Sequence, residues 1–248
     1  MSPDVQATRK DGAVGAANGE RAGLRLAGAL MAGGWLATMA ATFFHPSGAE
    51  DDHEVTFAKY AESDSWVAVH LVQFVGVLVA MAGLLVLYRV LGAGGRPPLL
   101  AHLAAAATVA TAAIWAVLQG LDGVALKQAV DAWVGASGAE KPIRFADAET
   151  VRWLEWGFQS YFRLLLGLSF ALFGAAILTG RLVAGWLGWA AVLAGLLSVT
   201  IGIDVGYSGL ESGLQDTVGI TFLLVGLVFA LGLLTSGVGE RWRPTVRA

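Results

Sequence analysis

The spacing of Asp, Glu, Lys and Arg constrains this chain more than any other feature. Six long stretches contain none of them: 26–49, 65–88, 97–121, 164–180, 182–203 and 217–239. A helix that crosses about 30 Å of hydrocarbon at about 1.5 Å per residue needs roughly 20 apolar residues. Five stretches reach that length outright. The fourth, 164–180, falls short, so its helix must draw the flank carrying Arg163 toward the lipid. The spacing therefore predicts an all-α, polytopic membrane protein, a bundle of six transmembrane helices over about 26–45, 67–88, 99–121, 157–179, 183–203 and 217–236.

Composition agrees. Hydrophobic residues make up 56% of the 248-residue chain and charged residues only 14%, against about 25% charged in ordinary soluble domains. A net charge of -3 excludes nucleic-acid binding as a main role. With no Cys, disulfides, thiolate-held zinc and iron–sulfur clusters are excluded.

The flanking bases set the orientation. One side holds the N-terminus, the 89–98 turn, Arg181 and the C-terminus, with ten bases, four acids and a sum of +6. The other holds the 46–66, 122–156 and 204–216 loops, with five bases, fifteen acids and a sum of −10. The basic side reads as cytoplasmic, so both termini are expected inside. Trp66, Trp153 and Trp156 are expected at the outer interface, and Trp186 and Trp242 at the inner one. A cleaved signal peptide is the rival reading of the first span, with Ser47 and Ala49 in a small-x-small pattern. Its apolar stretch is longer than a signal core, and charge persists to Arg25.

Residues 1–22 carry little to bury and are expected to form a disordered cytoplasmic tail. The six-helix transmembrane domain then covers 23–238, followed by a cytoplasmic tail over 239–248. Short amphipathic helices are expected on the outer side. Phe57 and Tyr60 share one face of such a segment, with Lys59 and Glu62 on another. Leu126, Val130, Trp133 and Val134 follow helical spacing, with Lys127 and Asp131 as an i, i+4 pair opposite. This second segment either prolongs the third span or lies on the membrane surface. Pro142 then restarts a helix that can run into the fourth span. Gly185, Gly188, Gly202 and Gly206 are small residues that let helix backbones approach in lipid.

Polar groups inside a membrane are costly, so their placement is informative. Nearly all lie at the outer ends of the spans: His45, His70 with Gln73, Gln119 with Asp122, Glu155 with Gln159 and Arg163, and Asp204. Glu155, Gln159 and Arg163 sit at successive i+4 steps on one face. Together these nine residues form a candidate polar pocket open to the exterior. A guanidinium stays charged, so Arg163 must pair, hydrate or snorkel. It either snorkels and forms one salt bridge, with Asp122 and Asp204 as the expected partners, or binds an anion or carboxylate at the pocket floor.

His45 and His70 are the candidate metal ligands, but their spacing matches no metal motif and no metal or other cofactor is expected. His102 stands alone near the inner side, which excludes a transmembrane pair of haems. Glu50, Asp51, Asp52, His53 and Glu54 form an acidic loop without calcium-loop spacing.

The stretches HPSGAEDDHEVTFAKYAESDSWVAVHLVQFVG, LQGLDGVALKQAVDAW and VRWLEWGFQSYFRLLLGL resemble those of uncharacterised six-span bacterial membrane proteins, catalogued as domains of unknown function. The resemblance covers about 24–236. It implies a bacterial plasma-membrane location and no particular chemistry. Three functional readings follow from the residues. The leading one is a protein that binds, senses or transports a small molecule or ion from the outer side. The second is a membrane enzyme or a metal- or haem-binding protein at the outer leaflet, with His45 or His70 as general base. It lacks an evident nucleophile, so the balance leans against an enzyme. The third is a scaffold docking a partner through its outer loops. The only partner common to all three is the lipid bilayer.

Overall fold

The computed structural model describes residues 3–46, 52–93, 98–180, 182–210 and 213–236, with side chains described from Gly15 onward except Ala16. The described residues are helical throughout apart from their connections: α1 (Pro3–Thr42), α2 (His53–Ala61), α3 (Trp66–Leu91), α4 (Leu99–Gly120), a π-helical turn (Leu121–Leu126), α5 (Lys127–Gly135), α6 (Glu140–Gly180), α7 (Gly185–Ser208) and α8 (Gly213–Thr235). Six helical stretches are long and apolar enough to cross a membrane, and they correspond one to one with the six uncharged runs. The protein is a multi-pass, all-α membrane bundle.

The spans close into a ring. Each packs against the one before it, in the order α1, α3, α4, α6, α7, α8, and α8 returns to α1. Lipid gives apolar side chains no drive to associate with one another, so the seams depend on close backbone approach. Along α6 and α7 this is achieved twice. A Cβ at Gly195 would lie 2.6 Å from the Gly167 carbonyl oxygen, and one at Gly174 would lie 2.5 Å from that of Gly188. Two hydroxyls reinforce the seam: Ser198 Oγ donates to the Arg163 carbonyl and Ser160 Oγ to that of Gly202, both at 2.7 Å. Down the bundle axis, Trp35, Phe222, Phe170 and Phe229 form a run of edge-on ring contacts with centroids about 6 Å apart.

Helix α1 begins at Pro3, within the residues expected as a tail over 1–22, and is continuous with the first span. Their alanines favour helix, and no proline or turn interrupts the approach to the lipid. The tail at 239–248, with Trp242, lies outside the described residues. Of the two alternatives for the 123–135 segment, the prolonged helix is the one observed. The segment prolongs the third span through the π-helical turn, and the candidate span runs Leu99–Gly135.

Helix α6 has 41 residues and is therefore about 60 Å long, twice the hydrocarbon thickness. Its first half supports a cap. There Phe57 and Tyr60 of α2, Leu126, Val130 and Trp133, and Ala148 of α6 bury one another around Trp66. The amphipathic faces expected for α2 and α5 meet in this second core. Asp52 caps α2 by accepting from the Val55 N–H at 3.2 Å. Lys127 makes its expected pair with Asp131, at 2.6 Å, and also donates to the Ala61 carbonyl that ends α2. Trp66 is not an interfacial anchor as expected, because it is 1% exposed and forms the junction between cap and bundle. Trp153 and Trp186 are both more than half exposed, as interfacial residues would be.

Candidate functional site

At the end of the bundle beneath this cap, the ring of helices encloses a cavity of about 600 Å³. His45, Gln73, Gln119, Asp122, Glu155, Gln159 and Arg163 all line it, contributed by the turn after α1, the start of α3, the end of α4, the middle of α6 and the π-helical turn. Seven of the nine residues selected by the cost of polarity in lipid thus share one space. His70 is buried behind Asp122 rather than on the wall. Asp204 lies elsewhere: it accepts from Gln215 Nε2 at 2.8 Å and ties the end of α7 to the start of α8.

The wall between α1, α3 and the π-helical turn is built around Asp122. Trp66 Nε1 donates to the Asp122 carbonyl at 3.0 Å, which fixes the backbone of the turn. Asp122 Oδ2 then stands 3.0 Å from His70 Nε2, while His70 Nδ1 donates to the Trp66 carbonyl at 2.7 Å. Gly123 permits this approach, since a Cβ there would lie 2.7 Å from the Cβ of His70. His45 packs its ring against Trp66 and His70, with centroids 4.9 and 5.1 Å away, and its Nδ1 donates to the Pro46 carbonyl at 2.8 Å. On the same wall, Gln73 Nε2 donates to Thr42 Oγ1 at 3.1 Å.

The roof of the cavity holds a pair that sequence reading missed. Arg152 counts among the outer-loop bases by position, yet it is 2% exposed. Its Nη1 donates to Glu155 Oε2 at 2.7 Å, and its guanidinium lies over the rings of Tyr60 and Trp156. The only trace in the sequence is the i, i+3 spacing of Arg152 and Glu155 among tryptophans.

Arg163 forms the floor. Its expected partners are occupied elsewhere: Asp122 faces His70, and Asp204 binds Gln215. Among the described residues Arg163 makes no ion pair, and its guanidinium instead lies over the rings of Phe162 and Phe222, 5.9 and 5.7 Å from their centroids. The salt-bridge expectation is therefore corrected. Arg163 Nε is buried without a hydrogen-bond partner, as are Trp35 Nε1, Gln119 Oε1 and Asp122 Oδ1. All four residues line this cavity. Buried polar atoms are satisfied in the great majority of native environments, and these four belong to residues around one space that has room for a partner. No protein-family model, no curated protein and no solved structure matches the chain.

Proposed function

We propose that this membrane protein binds a small organic anion, entering from the outer side, with its carboxylate or a similar head on Arg163 and its apolar part against the aromatic wall. The carrying observation is the Arg163 guanidinium, which lines the cavity and has no carboxylate partner among the described residues. A cation held in a low-dielectric site is expensive unless something compensates it, and the planar guanidinium fork matches a carboxylate. Gln159, one turn above on the same helix, and Gln119 add amide donors and acceptors. Trp35, Trp115, Leu118, Phe222 and Leu223 supply apolar surface. The aromatic run on the axis below Arg163 favours a binding or sensing role over a through-path.

The test is binding to the purified protein in detergent. Hexanoate and benzoate are expected to raise the melting temperature with saturable concentration dependence, whereas hexanamide and benzamide, which lack the charge, leave it unchanged. Equal effects of acid and amide would remove Arg163 from the reading.

The same proposal places the protein in a bacterial plasma membrane with both termini cytoplasmic and the cap outside. The support is the +6 and −10 charge sums of the two sides. Reporter fusions after Arg96 and Ala248 are expected to read as cytoplasmic, and one after Glu140 as external. An external C-terminus would invert the scheme.

A further inference from the structure

We propose that His45, His70 and Asp122 form a three-ligand site for a first-row divalent transition ion of the zinc type. The proposal is independent of the anion reading, because Arg163 takes no part in it. One donor atom from each of the three residues lies within 4.8 Å of the others. They arrive from three separate elements: the end of α1, the first turns of α3 and the π-helical turn. Widened turns of this kind occur often at functional positions.

Hydrogen bonding gives the cluster its chemistry. A backbone carbonyl can only accept, so the Nδ1 atoms of His45 and His70, facing the carbonyls of Pro46 and Trp66, must carry the hydrogens. In each neutral imidazole the lone pair is then on Nε2. Metal-bound histidines are held in this way, with the second nitrogen donating to a carbonyl or carboxylate that fixes tautomer and ring orientation. His70 Nε2 in that state faces Asp122 Oδ2 at 3.0 Å, lone pair to lone pair. That contact calls for a cation between or beside the two atoms, either a proton or a metal ion. Donors bound to one tetrahedral zinc at about 2.0–2.2 Å stand roughly 3.3 Å apart, so the His70 and Asp122 atoms at 3.0 Å already have that spacing and the His45 donor, within 4.8 Å of them, would close in on the ion.

A proton satisfies His70 and one carboxylate oxygen only. It leaves Asp122 Oδ1 buried without a hydrogen-bond partner, and it makes no use of the His45 donor atom that lies within 4.8 Å of the pair. A metal ion accounts for all three residues. Two imidazole nitrogens with one carboxylate suit zinc, cobalt or iron rather than magnesium or calcium, which take oxygen ligands. His45 and Asp122 also line the cavity, so the remaining coordination positions open into it. Sites with three protein ligands and an open position are the reactive kind.

The experiment uses the full-length protein in detergent, without a histidine tag and stripped by a chelator. Titration with Co²⁺ is expected to saturate at one ion per chain with visible ligand-field absorption. Zn²⁺ should abolish that absorption and Mg²⁺ should not. His45→Gln and Asp122→Asn should each weaken Co²⁺ binding at least tenfold, an effect as large as that of removing a supporting group in known metal sites. His53→Gln, outside the triad, should bind as wild type. If Asp122→Asn fails to fold, the wild-type titration and His45→Gln decide the matter. The proposal is overturned if the stripped wild type shows no stoichiometric Co²⁺ binding, or if binding survives His45→Gln unchanged. The His70 and Asp122 contact is then a proton-mediated pair alone.

Discussion

Replacing Glu155 with alanine is expected to destabilise the protein by about 3–5 kcal/mol, the usual cost of removing one member of a buried ion pair. The two side chains are 2% and 6% exposed, so water cannot take over the role of the lost carboxylate. The guanidinium of Arg152 would be left under Tyr60 and Trp156, short of the countercharge 2.7 Å from its Nη1. Glu155→Gln keeps the shape and an acceptor oxygen but still removes the charge, so it should fall between alanine and wild type. The double variant Arg152→Met with Glu155→Ala should recover most of the loss, because neither charge then remains buried. Unfolding of all four proteins in detergent gives the coupling energy directly. If Glu155→Ala unfolds as wild type, the pair does not stabilise the cap, and its role in roofing the cavity fails with it.

Arg163→Met is expected to act in the opposite direction on stability while abolishing anion binding. Methionine has an unbranched, adaptable side chain that can lie along Phe162 and Phe222, over which the guanidinium lies now. It removes a charge that the described residues do not pair and a buried Nε without a hydrogen-bond partner. Replacing buried ionic groups by apolar residues of similar volume is neutral or stabilising by about 1–4 kcal/mol. The variant should therefore melt at or above the wild-type temperature in the absence of ligand, and hexanoate should no longer shift it. Arg163→Lys keeps the charge without the fork and should bind hexanoate more weakly without gaining stability. A side chain that costs stability and gains it back only with ligand marks a functional position. If Arg163→Met instead melts well below wild type, the guanidinium is structural, and the floor of the cavity is not a binding group.

Both predictions concern arginines that the sequence treats alike in type and differently in place, and for neither does the sequence give the partners. Arg152 reads as an exposed loop base because the uncharged run begins well after it. What buries it is the cap, whose second core brings α2 to α6 across a large stretch of chain, with His53 and Glu149 96 residues apart in sequence. Arg163 reads as a residue needing Asp122 or Asp204 because all three sit near the same depth. Depth along a helix follows from sequence, but azimuth around the bundle does not. His70 and Gln215 reach those two carboxylates first.

The number of spans, their order and their approximate ends are fixed by the chain itself. In lipid an unsatisfied charge is prohibitively costly, so the absence of charge over six stretches leaves one architecture. The polar cluster at one end is determined in the same way, and seven of its nine members do share a cavity. Tertiary structure alone decided which side chains face one another. The pairing of His70 with Asp122, the approach of His45, the exile of Asp204 and the roofing by Arg152 all depend on helix rotation. That rotation is set by backbone contacts such as Gly174 against Gly188, and by a single widened turn at Leu121–Leu126. These are differences of an ångström or a fraction of a turn, and no pattern of charge or periodicity encodes them.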